Sequence, residues 1–240
     1  MSLVAKWKQI YWDNQSSFDD YGLTINAKEI GNPAKKKRRI AIPNGNGYYD
    51  YAPIMGEQYG ERQLKYTFNL GDYQSLRKDV MNTFKIKALN WLVPGTQRKL
   101  FDEAIPGYYF LAEIQEAPSF TERKGIGTLE VIFTAYPFKI SNKLEGDDVW
   151  DTFNFELDIA QLTKLTVSGS KTVTIYNQSV GKISPDIEVT GTLTVNLNGQ
   201  TVNLESGSYS RTPLSFKKGE NSITLTGNGT IYFKFRKEVL

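Results

Sequence analysis

Three adjacent carboxylate pairs, Asp19-Asp20, Asp102-Glu103 and Asp147-Asp148, are the residues of this chain best suited to acid–base work. Neighbours on an extended chain point to opposite faces, so no single pair can flank one scissile bond. A glycan hydrolase needs two carboxyls converging across a cleft from distant strands; the simpler reading of these pairs is solvated turn acids. The chain has no His and no Cys. That removes Ser-His-Asp triads, Cys-His dyads, thiolate and imidazole metal sites and imidazole pH switches. It also leaves nothing to tie the chain to an oxidising compartment. The glycines at 45–47 and 125–127 lack the Gly-Lys-Ser/Thr ending and the strand-to-helix setting of a phosphate loop, so they read as turns. The expectation is a protein without catalysis, metal or cofactor, whose work is done by surfaces.

Those surfaces must be carried by strands. The chain has 240 residues with 14 Tyr and 13 Phe, a supply of aromatics that favours sheets and contact faces. Arg62–Leu70 alternates, with Leu64, Tyr66, Phe68 and Leu70 on one face. One helix follows, with Asp72 as N-cap and Tyr73, Leu76, Val80 and Phe84 forming its apolar stripe. Pro94-Gly95 is a turn. Tyr108–Ala117 and Gly127–Tyr136 read as a long hairpin bridged by residues 118–127. Its second arm sets Leu129, Val131, Phe133 and Ala135 against Thr128, Glu130, Ile132 and Thr134.

Downstream the composition changes. Short strands recur about every ten residues with Thr, Ser, Asn and Gly between them: Phe153–Ile159, Leu165–Val167, Val173–Ile175, Ile187–Val189, Leu193–Leu197, Val202–Leu204, Ile223–Leu225 and Ile231–Phe235. This spacing indicates a β-sandwich. Asn198-Gly199 suits a type I′ hairpin, and Gly227-Asn228-Gly229 reads as the turn joining the last two strands. The fold class is therefore mainly β: a mixed β domain of barrel- or sandwich-like sheets with one α-helix over residues 1–143, then a β-sandwich over 144–240. Residues 1–144 carry 20 Lys and Arg against 15 Asp and Glu, whereas the remainder carries 9 against 11. Two domains facing different partners fit that asymmetry. The overall charge of +3 is too small to mark a nucleic-acid binder. No apolar run is long enough to cross a bilayer, and the first residues lack a signal-peptide core.

Two groups stand out as contact candidates. The run Lys35, Lys36, Lys37, Arg38 and Arg39 has two readings, a contact for phosphates or an acidic partner and a solvated loop. Trp150, Tyr176 and Tyr209 likewise have two, sugar-stacking platforms and packing of the sandwich.

The order of segments resembles the distal tail (Dit) proteins of phages with long non-contractile tails. In the first domain the likeness rests on RRIAIPNGNGYYDY, ERQLKYTFNL, LRKDVMNTF, WLVPGTQRKLFDEAIPGYYFLAEI and FTAYPFK. In the second it rests on IYNQSVGKISPDIEVTG, NGQTVNLESG and KKGENSITLTGNGTIYFKFRKEVL. The resemblance implies a ring-forming (belt) domain, a galectin-like C-terminal β-sandwich, and no catalytic or cofactor residues. It implies a hexameric ring, single or as stacked rings, in the virion tail tip, made in the bacterial host's cytoplasm. Its partners would be the tail tube protein, a tail-associated (Tal-like) protein and receptor-binding or baseplate proteins, with DNA only as passing cargo and no membrane insertion. PNGNG stands where related chains often have a Pro-Gly turn, and the second domain lacks the large insertion some relatives carry. The alternative reading is a carbohydrate-binding module acting at the host surface.

Overall fold

The computed structural model describes residues 9–70, 77–123, 126–147 and 154–240. The chain divides into two compact units, residues 1–139 with Leu240, and residues 140–239; the sequence placed its boundary at 143/144. Both units are mainly β.

The first unit begins with β1 (Ile10–Trp12) and β2 (Gln15–Ser16), then β3 (Thr24–Ile30), β4 (Lys35–Lys36), β5 (Arg39–Ala41) and β6 (Tyr48–Asp50). A single helical turn α1 (Ala52–Met55) leads to β7 (Gln58–Tyr59), β8 (Arg62–Leu70) and the long helix α2 (Lys78–Leu92). β9 (Arg98–Asp102), β10 (Tyr108–Glu113), β11 (Ser119–Arg123) and β12 (Ile126–Ala135) complete it. The principal sheet runs β2-β1-β9-β10-β12-β8-β3 and is antiparallel throughout. Alternation in β8 and β12 works as the sequence indicated: Leu64, Tyr66, Phe68 and Leu70 bury one face, and Leu129, Val131, Phe133 and Ala135 join them in the same core. The segment expected to bridge a hairpin from Tyr108 is itself strand. β11 pairs with β12 from Ser119↔Glu130 to Arg123↔Ile126, so β10 and β11 share one edge of β12 in succession.

Helix α2 covers the sheet with Met81, Ala88, Trp91 and Leu92 fully or nearly buried and Phe84 half-buried. It begins at Lys78 after Arg77, and the expected Asp72 cap, Tyr73 and Leu76 lie outside the described residues. Its far end extends to Leu92, two residues short of Pro94, whose ring and missing N–H end a helix. Trp91 anchors that end: its Nε1–H donates to the Trp12 carbonyl at 2.9 Å, and its ring stacks on Tyr21 at 4.3 Å.

A buried carboxylate ties three strands together. Asp102, with no exposed side-chain surface, accepts from the Tyr66 hydroxyl at 2.9 Å and the Lys28 ammonium at 2.8 Å. Its other oxygen accepts from the Ala104 amide at 2.8 Å. Burial first, then the Asp102 charge, pushes the Tyr66 phenol far above its ordinary range, so it stays a donor.

The second unit is built differently from the expected run of short strands. After β13 (Lys139–Ser141) come β14 (Lys164–Asn177), β15 (Asp186–Leu197), β16 (Gln200–Leu204), β17 (Gly207–Tyr209), β18 (Gly219–Lys234) and β19 (Glu238–Val239). The pairs of short strands foreseen at 165–175, 187–197 and 223–235 are halves of three long strands. Gly227-Asn228-Gly229 lies inside β18 and makes no turn, because all three residues pair with β14 and β15. Asn198-Gly199 does make the expected type I′ hairpin, with φ of 54° and 82°. Asn154–Ile159 form an Asx-bonded turn in place of the expected strand; Asn154 Oδ1 accepts from the Glu156 amide at 3.0 Å.

The sheet order is β14-β18-β15-β16, with β17 on β15. Odd-numbered residues face the core in both halves of β14, β15 and β18: Leu165, Val167, Val173 and Ile175 in β14, Ile187 to Leu197 in β15 and Ile223 to Phe233 in β18, while Lys171 in the middle of β14 is exposed. Midway, a seam of glycines crosses the sheet: Gly169 faces Gly227, and Gly229 faces Gly191. A Cβ on Gly191 would lie 2.2 Å from the Asn228 carbonyl oxygen, and one on Gly227 2.3 Å from that of Thr192. At both, φ is positive, 92° and 123°. Only glycine lets the strands bend and approach this closely, and residues on both sides of the seam enter one core.

Lys237 is a buried charge of this unit, 3% exposed. Its ammonium donates to the Leu157 carbonyl at 2.6 Å and pairs with the Asp158 carboxylate. Burial by itself raises the pKa of Asp158, but the Lys237 hydrogen bond, the Asn154 amide and the charges of Lys237 and Lys143 outweigh it and hold the carboxyl below its usual value.

Two outcomes follow for stability. Gly191→Ala forces a side chain into left-handed φ against a carbonyl and costs at least about 2 kcal/mol, read from the denaturant midpoint; a loss below about 0.5 kcal/mol would mean that the seam relaxes freely. For Asp158, a depressed folded pKa means a contribution present above about pH 4 and lost as pH falls through the folded value. Asp158→Asn should therefore cost about 1–2 kcal/mol at neutral pH and flatten the acid limb of the stability profile. An unchanged acid limb would assign that limb to other groups.

Candidate interaction surface

The basic run begins an arm that stays out of the core. From Ala34 to Asp50 every residue except Ile42 is exposed. β5 and β6 form a two-stranded hairpin pairing Arg39↔Asp50, Ile40↔Tyr49 and Ala41↔Tyr48. The tip closes over Pro43-Asn44-Gly45-Asn46-Gly47: the Gly45 amide donates to the Ile42 carbonyl, the Ile42 amide donates to Gly47, and Asn44 takes φ of 57°. At the base, the Tyr51 amide donates to the Arg38 carbonyl, and the Asp50 carboxylate accepts from the Ala52 amide that starts α1.

This arm presents large apolar groups to water. Ile40, Tyr49 and Ile54 are 55%, 60% and 82% exposed, and Tyr48 lies beside them. A two-stranded hairpin has too little core to hold itself together. Here the Arg39 guanidinium sits 3.9 Å from the centre of the Tyr48 ring, a cation–π clasp across the two strands.

The five cations of the run are placed differently from one another. Lys35, in β4 against β7, is paired with Glu57, whose hydrogen bond raises the Lys35 pKa. Arg39 is committed to Tyr48. Lys36, Lys37 and Arg38 are exposed and have no carboxylate partner among the described residues. The sequence singled out the run; it carried no sign of which members remain free, because Glu57 and Tyr48 meet them only through the folded β4–β7 and β5–β6 pairs.

The carboxylate pairs separate as expected for neighbours, yet two of them meet across pairs. Asp102 is the buried node described above. Asp20 accepts from the Ser16 amide and hydroxyl. Asp19 and Glu103 converge on one buried amide: Gln9 Nε2 donates to Asp19 Oδ2 at 2.7 Å and to Glu103 Oε1 at 3.2 Å. The Tyr11 hydroxyl donates to Glu103 Oε1 at 2.9 Å; that bond, burial and the Glu103 charge push the phenol's pKa up. These oxygens are occupied by local donors, and the cluster clasps β1 to the turn after β9. Asp147 is exposed, and Asp148 lies outside the described residues. Among the described residues no three His, Cys, Asp or Glu side chains gather as a metal site.

The proposed sugar platforms are not laid open. Tyr209 packs on the second core, and its hydroxyl bonds the Glu205 backbone. Tyr176 is half-buried with its hydroxyl on Glu220 at 3.0 Å. Trp150 lies outside the described residues.

No protein-family model matches the chain, and no curated protein matches it by sequence. Among solved structures, the crystal structure of the Dit protein (gp 19.1) of SPP1 matches with a TM-score of 0.65 at 12% sequence identity. The match spans 97% of this chain and 99% of that one. The chain has a Dit-like fold. That protein is presented as a paradigm of the hub adsorption apparatus in phages infecting Gram-positive bacteria. The Dit-like fold thus extends through both units. No described helix is long and apolar enough to cross a membrane.

If the Arg39–Tyr48 contact holds the arm, Tyr48→Ala should speed hydrogen exchange of the Ile42 and Tyr51 amides, which bond across the hairpin, several-fold and leave β8 and β12 unchanged. Equal exchange in the two proteins would remove the clasp from the account.

Proposed function

We propose that this chain is a structural hub of the tail tip of a long-tailed phage or prophage. Six copies form a ring that joins the tail tube to the tail-associated and receptor-binding proteins and leaves an axial passage for the genome. The observation that carries this reading is the match to SPP1 Dit over nearly the full length of both chains. A similarity confined to one β domain would imply far less, since sandwiches serve many functions. The arm supports it. An exposed hairpin carrying Ile40, Tyr48 and Tyr49, followed by Ile54 in α1 and edged by three cations that have no carboxylate partner among the described residues, has the composition of a contact surface waiting for a partner. A closed ring of identical subunits uses such heterologous contacts, one patch of each copy meeting a different patch of the next. The absence of His and Cys from the sequence restricts catalytic chemistry and costs a structural part nothing.

Negative-stain micrographs of the purified protein should show annular particles, and light scattering should give the mass of six chains or a multiple. A strictly monomeric protein at high concentration, with no assembly on tube or tail-associated protein, would sink the ring. Replacing Lys36, Lys37 and Arg38 with Gln should weaken assembly most at low salt, where their charges are least screened. Assembly indifferent to that change at low salt would make the run a solvated face.

A further inference from the structure

Asparagine is followed by glycine at four places in the chain, residues 44–45, 46–47, 198–199 and 228–229. Such a pair can modify itself. Hydroxide removes the proton of the glycine amide, and the exposed nitrogen attacks Cγ of the preceding asparagine. A new N–Cγ bond closes a five-membered succinimide, the Cγ–Nδ2 bond breaks, and Nδ2 leaves as ammonia. Water then opens the ring at either carbonyl, giving aspartate or isoaspartate. No oxidation or reduction is involved: one water enters and one ammonia departs. Glycine obstructs this attack least, because it has no Cβ beside the nitrogen and the freest backbone. The fold must still supply a side-chain amide free to turn, a glycine N–H free of an acceptor, and a backbone able to rotate.

Three of the four pairs are denied at least one of these. Asn198 donates from Nδ2 to the Ser215 carbonyl at 3.1 Å and to Asn221 Oδ1 at 3.4 Å, which ties its side chain down. Asn228 Oδ1 accepts from the Gly169 amide at 3.2 Å, and Gly229 is paired with both Val167 and Gly191 inside β18. Asn44 is exposed, but the nitrogen it needs is engaged, since the Gly45 amide donates to the Ile42 carbonyl at 3.1 Å. Removing that proton first requires the hydrogen bond to be given up.

Asn46 meets all three conditions. It is exposed at the tip of the arm, and its side chain makes no hydrogen bond among the described residues. The Gly47 carbonyl accepts from the Ile42 amide at 3.1 Å, whereas the Gly47 amide has no acceptor among the described residues. The space around it is open: a Cβ on Gly47 would meet only the Ile42 Cδ1 methyl, at 3.2 Å. The two-stranded hairpin beneath has too little core to keep its tip rigid.

We propose that Asn46 is a site of spontaneous deamidation selected by the fold, with the Gly47 nitrogen as its nucleophile. The product sets a carboxylate at the tip of an arm that begins with Lys36, Lys37 and Arg38. Isoaspartate also threads Cβ into the main chain inside the loop closed by the Ile42–Gly47 hydrogen bond. The chemistry requires no ring; its effect on assembly, through the altered charge of the arm, rests on the hub reading.

The test ages the full chain in mildly alkaline buffer, digests it under acidic conditions where the reaction is slow, and maps all four asparagines by tandem mass spectrometry. Asn46 should convert at least about tenfold faster than Asn198 or Asn228, and several-fold faster than Asn44. Its rate should rise with pH, as more of the Gly47 amide is deprotonated. In urea, where the fold no longer discriminates, the four rates should converge to within a few-fold. Gly47 does not have a left-handed φ, so the hairpin accepts Gly47→Ala, which crowds the nucleophile. That variant should slow conversion of Asn46 at least about tenfold and leave the other three rates unchanged. The proposal is overturned if another pair converts as fast as Asn46 in the folded chain, or if Asn46 stays intact there while the unfolded chain reacts. The same spread of rates in urea would also overturn it, by assigning selection to local sequence, as would an unchanged Asn46 rate in Gly47→Ala. Light scattering of the same aged samples scores ring formation separately, so failure of the hub reading leaves the modification site legible.

Discussion

A carboxylate sealed from water governs the first unit. Inside the sheet the Asp102 carboxyl oxygens are satisfied by three donors, Tyr66, Lys28 and the Ala104 amide. Those donors come from β8, β3 and the turn after β9, so the network sets the lateral position of three strands with one point of attachment. β1 then pairs with β9 at Ile10↔Asp102, and Trp91 locks the end of α2 to β1. Losing one donor leaves a buried carboxyl oxygen short of a partner, a cost larger than the hydrogen bond itself.

The second unit obeys a steric constraint. Its three long strands bend where glycines from neighbouring strands meet, and carbonyl oxygens fill the positions of the missing side chains. Electrostatics matter less here. Asp158 and Lys237 secure one surface segment, whereas the core consists of aliphatic and aromatic residues from one continuous face.

Much of the fold was legible in the chain. Alternation in β8 and β12 fixed which residues are core, because a half-buried strand must repeat every two residues. The type I′ turn at Asn198-Gly199 was legible for the same local reason. Gly227-Asn228-Gly229 was not: the same residues serve a hairpin turn and a mid-strand bend, and only the strands on either side decide between them. Residues 118–127 were read as a bridge since Pro118 and the glycines signal a loop, yet Ser119–Arg123 find an open edge on β12. At the candidate surface the basic run was visible, but its division into paired and free cations depends on tertiary contacts. So does the meeting of Asp19 with Glu103, which are far apart in sequence and share the Gln9 amide.

The glycine seam has a further consequence, in how this domain can change its length. Because side chains keep the same phase on both sides of the bend in β14, β15 and β18, each long strand behaves as one reading frame. Deleting or inserting a single residue anywhere within such a strand would turn the core residues of one half outward and its solvent residues inward. A change of two would preserve the phase but shift the glycines out of line with those of the neighbouring strands. Length variation should therefore be confined to the connections, residues 178–185 and 210–218, while the strands themselves admit only substitution.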